Sequence, residues 1–86
     1  MYRYILFFTC EGGAVPSMFL DVDYLDIKRA VIQGIDKVEN EWKNGKVISV
    51  RINSIYENNG SMSILKCEDT VWQDGQFNES AISRML

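Results

Sequence analysis

The sequence predicts an α+β domain: a mostly antiparallel sheet of four to five strands, order 2-1-3-4, with one long helix packed on one face. Three observations predict it. Asp23 to Gly45 carries an apolar stripe at helical spacing. The segments on either side are rich in aromatic and β-branched residues and alternate with period two. Gly and Asn clusters separate those segments at turn spacing. The 86 residues form one domain, 1–86, with the element order β-β-α-β-β.

Tyr2 to Cys10 reads as the first strand. Tyr4, Leu6, Phe8 and Cys10 point one way, and Ile5, Phe7 and Thr9 the other. Both sets are apolar, as in a central strand. Glu11-Gly12-Gly13 turns the chain, and Pro16 suits a loop or a strand start. Ser17 to Val22 is the second strand, with Met18, Leu20 and Val22 on one side and Phe19 on the other.

The helix spans residues 24–44. Ile27, Val31, Ile35, Val38 and Trp42 form its stripe, flanked by Tyr24, Ala30 and Gly34. Lys28, Gln33, Asp36, Lys37, Asn40 and Lys43 face water. Asp23 is the expected N-cap, with Asp26 reaching back as in a capping box. Asn44-Gly45 is the expected stop, with Gly45 in the left-handed position. Gly34 costs about 1 kcal/mol relative to Ala in a helix interior, so close backbone approach to a strand is expected there.

Val47 to Tyr56 is the third strand, with Ile48, Val50 and Ile52 alternating against Ser49, Arg51 and Asn53. Ser54-Ile55 breaks the phase and predicts a bulge. Asn58-Asn59-Gly60 predicts a hairpin, and Ser61 to Cys67 the fourth strand. Glu68-Asp69 is expected to turn the chain into a short fifth strand, Thr70 to Gln73. Asp74-Gly75 makes a further tight turn before Gln76-Phe77. Asn78 to Leu86 can form a turn or two of helix, with Ala81, Ile82, Met85 and Leu86 apolar.

Composition narrows the function classes. The chain is 47% apolar and 24% charged, ordinary for a globular domain. Its net charge of −3, from nine basic and twelve acidic residues, argues against a nucleic-acid or anionic-membrane surface. The absence of His removes the commonest general base and metal ligand. No apolar run approaches the ~20 residues of a membrane span. The start resembles a signal peptide only briefly, since Glu11 ends the apolar run that follows Arg3. A cytoplasmic setting with reduced thiols is therefore expected. Cys10 and Cys67 fall on strands separated by the third, about 10 Å apart and too far for a disulfide. With no cationic neighbours beyond Lys66, both read as inert thiols.

Asp21, Asp23 and Asp26 form D-x-D-x-x-D at the strand-to-helix junction. A calcium loop of the EF-hand type needs Gly where Asp26 stands and an acid where Ile32 stands. The three read instead as capping and dipole complement at the helix start. No enzyme activity and no cofactor are expected.

One helix covers one face of a sheet. The doubly apolar first strand therefore leaves some of Tyr2, Tyr4, Ile5, Phe7 and Phe8 on the other face, with Phe19 and Trp72 joining them. Such a patch marks a protein partner. The alternative is that Phe77–Leu86 folds over it. Base stacking would need more basic residues than Arg3 and Arg51. Glu57, Glu68, Asp69 and Asp74 gather in the late turns, as solvated loops or as phosphate mimics that contact a partner. In size, acidic balance and β-β-α-β-β order the chain resembles small orphan proteins of phages and mobile elements, anti-CRISPR proteins among them. The resemblance implies a stoichiometric inhibitor that occupies a host protein's surface. It rests on length and topology, so it carries no functional residue over. A homodimer using the same face is the second reading.

Overall fold

The computed structural model describes residues 2–21, 26–58 and 61–85, and among these the side chains of 4–20, 26–53 and 69–83. In chain order the elements are β1 (Tyr2–Cys10), β2 (Ser17–Asp21), α1 (Ile27–Asp36), a π-helical turn (Lys37–Glu41), β3 (Val47–Asn58), β4 (Ser61–Gln73), β5 (Gln76–Phe77) and α2 (Glu79–Met85). The sheet runs β2-β1-β3-β4-β5, with every neighbouring pair antiparallel. The expected order holds, with β5 added at the β4 edge.

Register assigns the two faces, because directly opposed residues in an antiparallel pair share a face. Leu6 opposes Met18 and Ile52, and Phe8 opposes Val50. These belong to the core, which α1 closes with Ile27, Ala30, Val31 and Val38. On the other face Ile5 opposes Phe19 and Asn53, and Phe7 opposes Ser17 and Arg51. Cys10 is buried on the core side, two strands from β4, which carries Cys67.

Gly34 is where the helix meets the sheet. A Cβ built on it would run into the Phe8 ring, and Phe8 is fully buried. The close approach expected from the sequence is thus made against an aromatic side chain of β1.

The helix is shorter than 24–44 and changes character at Asp36. Its cap is Asp26, whose Oδ1 accepts from the Arg29 amide at 3.0 Å; the expected cap Asp23 and the stripe-flanking Tyr24 lie outside the described residues. Past Asp36 the Trp42 amide donates to the Lys37 carbonyl, five residues back, at 2.9 Å. Each π turn takes in an extra residue. The four-residue step from Val38 therefore lands Trp42 short of the stripe, and Trp42 is 40% exposed. Lys43 takes a left-handed φ of 53° before Gly45 at 94°, so the stop begins two residues before the glycine.

β4 also departs from expectation. Glu68 and Asp69 do not turn the chain: they pair with Asn53 and Ile52, and Thr70 to Gln73, expected as a separate fifth strand, continues β4 without a break. The turn comes at Asp74-Gly75, with φ of 49° and 85°. Trp72 pairs with Phe77 and Gln73 with Gln76 across it, a two-residue hairpin loop of the kind that needs positive φ. The β3–β4 register shifts between Asn53 and Ile55, as expected, and again between Val50 and Arg51. Asn58 pairs with Ser61; Asn59 and Gly60, the expected hairpin loop, lie outside the described residues.

The C-terminal segment does not lie over the open face. Ala81 and Ile82 of α2 join the same core cluster as α1. Asn78 ties α2 down: its amide donates to the Val71 carbonyl at 2.8 Å and its Nδ2 to the Thr70 carbonyl at 3.0 Å. Its Oδ1 accepts from the Ala81 amide at 3.3 Å. Lys28 bridges the helices by a 2.6 Å contact with Glu79, with its ammonium 5.5 Å from the Phe77 ring centroid. Both charged side chains are largely exposed, so the pair is worth less than about 1 kcal/mol.

Candidate functional site

The structure splits the expected aromatic patch between the two faces. Phe7 and Phe19 stay on the open face. Phe19 is 42% exposed and Phe7 is half-buried. They sit on neighbouring strands, diagonal to one another through the Ile5–Phe19 pair, within reach of aromatic side chains. The Arg51 guanidinium lies over the Phe7 ring, 5.6 Å from its centroid, a cation–π contact. Ile5 is buried between Phe19 and Asn53. Ser17, Thr9, Ser49, Thr70 and Gln73 surround them by register. The result is an aromatic centre in a polar field whose one charge, among the described side chains, is Arg51, and among the described residues neither helix lies over it.

Tyr4 and Trp72 do not belong to this face. Both pack against the core cluster. Tyr4 follows the phase of Leu6 and Phe8. Trp72 is moved by the register shift: it opposes Val50, Thr70 opposes Arg51, and Val71 is the extra residue between them. Plain alternation would turn Trp72 away from its buried neighbour Val71. The bulge lets both meet the core. The side chain of Tyr2 lies outside those described.

The acidic residues are dispersed as well. Glu57 and Glu68 are strand residues whose side chains lie outside those described. Asp69 opposes Ile52 and so lies on the helix side. Only Asp74 occupies a turn and is exposed. Of the D-x-D-x-x-D run, Asp26 spends a carboxylate oxygen on the helix cap. Asp23 and the side chain of Asp21 are outside the described residues. Among the described residues no three His, Cys, Asp or Glu groups come together as a metal site, and no helix is long and apolar enough to cross a membrane.

A second feature had no signal in the sequence. A cleft of about 630 Å³ opens at the end of the sheet where β1 stops and β3 starts. Ile35, Val47 and Trp72 line it, with Glu11, Glu39 and Asp74 among its polar groups. Glu39 is set there by the π turn, and its Oε2 accepts from the Val47 amide at 2.8 Å. Four segments spread from Glu11 to Gly75 build this cleft, so no local pattern could announce it.

Cys10 lies close enough to feel the same carboxylate. Burial, and secondarily the Glu39 charge, push its thiol above the ordinary 9.0. In a Cys67→Ser background, native Cys10 should resist iodoacetamide at pH 8 and react within minutes once denatured. Rapid alkylation of the native protein would contradict its burial. The folded state therefore holds this proton more tightly than the unfolded chain does. Its contribution to stability is present below the unfolded pKa and is lost as pH rises through the folded one.

No protein-family model, no curated protein and no solved structure matches this chain.

Proposed function

We propose that this chain is a non-enzymatic protein-binding module, working in the cytoplasm, whose contact surface is the open sheet face centred on Phe7 and Phe19. The observation that carries the reading is that both helices pack on one side of the sheet while the other side keeps Phe19 42% exposed. An exposed aromatic beside a half-buried one, inside a polar surround, has the anatomy of a binding hot spot and its rim. With Arg51 as its one charge among the described side chains, the face suits a protein surface better than a nucleic acid, which would call for more cations. With the resemblance to small phage and mobile-element proteins, the specific proposal is an inhibitor that occupies a host protein stoichiometrically.

The test uses Phe7→Ser and Phe19→Ser. A tagged wild-type chain is expected to retain one stoichiometric partner from nuclease-treated bacterial lysate. Each variant should lose most of it, by about tenfold or more for a hot-spot aromatic, while circular dichroism stays native. Retention by both variants would remove the open face from consideration. Self-association through the same face is the second reading, favoured by the apolar centre of the face. A mass by light scattering that doubles with concentration in the wild type and not in Phe19→Ser would select it.

A further inference from the structure

We infer that the cleft between the π turn and the β4–β5 hairpin receives an arginine side chain presented by a partner polypeptide. The site does not rest on the open face, and its failure would leave that reading untouched.

The floor is apolar. Ile35, Val47 and the half-buried indole of Trp72 line it, a surface that accepts an alkyl stem and a flat cation stacked on the ring. The rim decides the charge of the occupant. Glu11, Glu39 and Asp74 line it against the single cation Lys46, among the described residues.

Backbone geometry adds to the same sign. The helical segment ends at Glu41 with no basic residue in its last turn. A helix C-terminus is the negative end of the dipole, where cations are favoured and carboxylates are not. Glu39 and Glu41 thus stand at the least favourable place on the helix for an acid. Glu39 is also half-buried, with one oxygen committed to the Val47 amide and the other left to a ligand. A guanidinium relieves this concentration of negative charge and matches the carboxylates with its fork of donors. A bare metal ion fits poorly, since the carboxylates do not converge on one point.

The size speaks for a chain rather than a small amine. At about 630 Å³ the cleft has room for residues flanking the arginine. The rim is built on tethered backbone: the Glu11 amide donates to the Lys46 carbonyl at 2.8 Å and the Asp74 amide to the Ile48 carbonyl at 3.0 Å. The cleft is therefore formed before a ligand arrives, which lowers the ordering cost of binding.

The experiment follows Trp72 fluorescence in a Trp42→Phe background, which leaves one indole. The probes are a blocked Gly-Gly-Arg-Gly-Gly peptide, its citrulline counterpart and N-acetylarginine amide. The arginine peptide is expected to give a saturable change that weakens with added salt. The citrulline peptide, equal in shape and neutral, should bind about tenfold more weakly or worse. Glu39→Gln with Asp74→Asn should weaken the arginine peptide by a similar factor at an unchanged melting temperature. Gln keeps an acceptor for the Val47 amide, and Asn tolerates positive φ. Absence of a saturable change at millimolar peptide, equal binding of citrulline, or indifference to the double substitution would each overturn the site. Equal affinity of N-acetylarginine amide and the peptide would overturn the polypeptide source in favour of a free guanidine.

Discussion

Gly34→Ala is expected to destabilise this protein, although alanine in a helix interior ordinarily stabilises by up to about 1 kcal/mol over glycine. The reversal comes from one contact. The added methyl would overlap the Phe8 ring. That ring cannot swing aside, because Phe8 is 0% exposed and sits among Leu6, Val31, Val38 and Val50. Overpacking of this kind costs about 1–3 kcal/mol, which exceeds the propensity gain. For Gly34→Ala the net loss should be about 1–2 kcal/mol. At about 4–8 °C per kcal/mol for a domain of this size, the melting temperature should drop by roughly 5–15 °C. Gly34→Val adds a β-branch and should lose about 3 kcal/mol or more.

The contact, rather than the backbone, is tested by shrinking the ring. Phe8→Leu alone should destabilise, since it opens space in the core. In its presence Gly34→Ala should cost less or turn favourable, a coupling of about 1–3 kcal/mol in the double-mutant cycle. Additive effects would mean that the helix does not approach the strand as closely as the geometry has it.

Ala81→Asp is expected to be the most damaging single substitution in the C-terminal helix. Ala81 is 0% exposed and its neighbour Ile82 is 6% exposed, both inside the core that α1 closes. A carboxylate there must be desolvated or must drag α2 off the sheet and expose Val71 beneath it. Either route costs several kcal/mol. Ser83→Asp, exposed on the same helix, should stay within about 0.5 kcal/mol of the parent. Ile82→Ala should fall between, at about 2–4 kcal/mol. Equal denaturation midpoints for Ala81→Asp and Ser83→Asp would detach α2 from the core. It would reopen the alternative that this segment covers the face bearing Phe7 and Phe19.

These two substitutions also divide what is local from what is not. Gly34 announced itself, because a glycine inside an amphipathic stripe costs stability unless something lies against it. The bulge near Ser54-Ile55 did so through a break in alternation. The candidate binding residues were less legible. Phe7 and Phe19 remained on the open face, whereas Tyr4 and Trp72 went to the core side, and Asp69 became a strand residue. The Trp72 error traces to the extra residue Val71, since a bulge opposite Val50 and Arg51 is visible only once the partner strand is placed. The acid-to-turn error traces to Glu68-Asp69, polar residues tolerated in a strand because β3 supplies their backbone partners.

By itself, the sequence determined the fold class, the antiparallel strand order 2-1-3-4, the helix stripe from Ile27 to Val38 and the hairpin at Asp74-Gly75. The class, the stripe and the turn follow from spacing or turn chemistry within a few residues of chain, and the strand order from short connections between consecutive elements. Tertiary structure alone decided which face α2 covers, where α1 gives way to the π turn, on which side Trp72 lies, and that Glu11, Glu39, Trp72 and Asp74 share a cleft. Periodicity says that two sets of side chains face opposite ways. Which set is buried, and against what, depends on the free energy of packing segments far apart in sequence, and that is settled only when they meet.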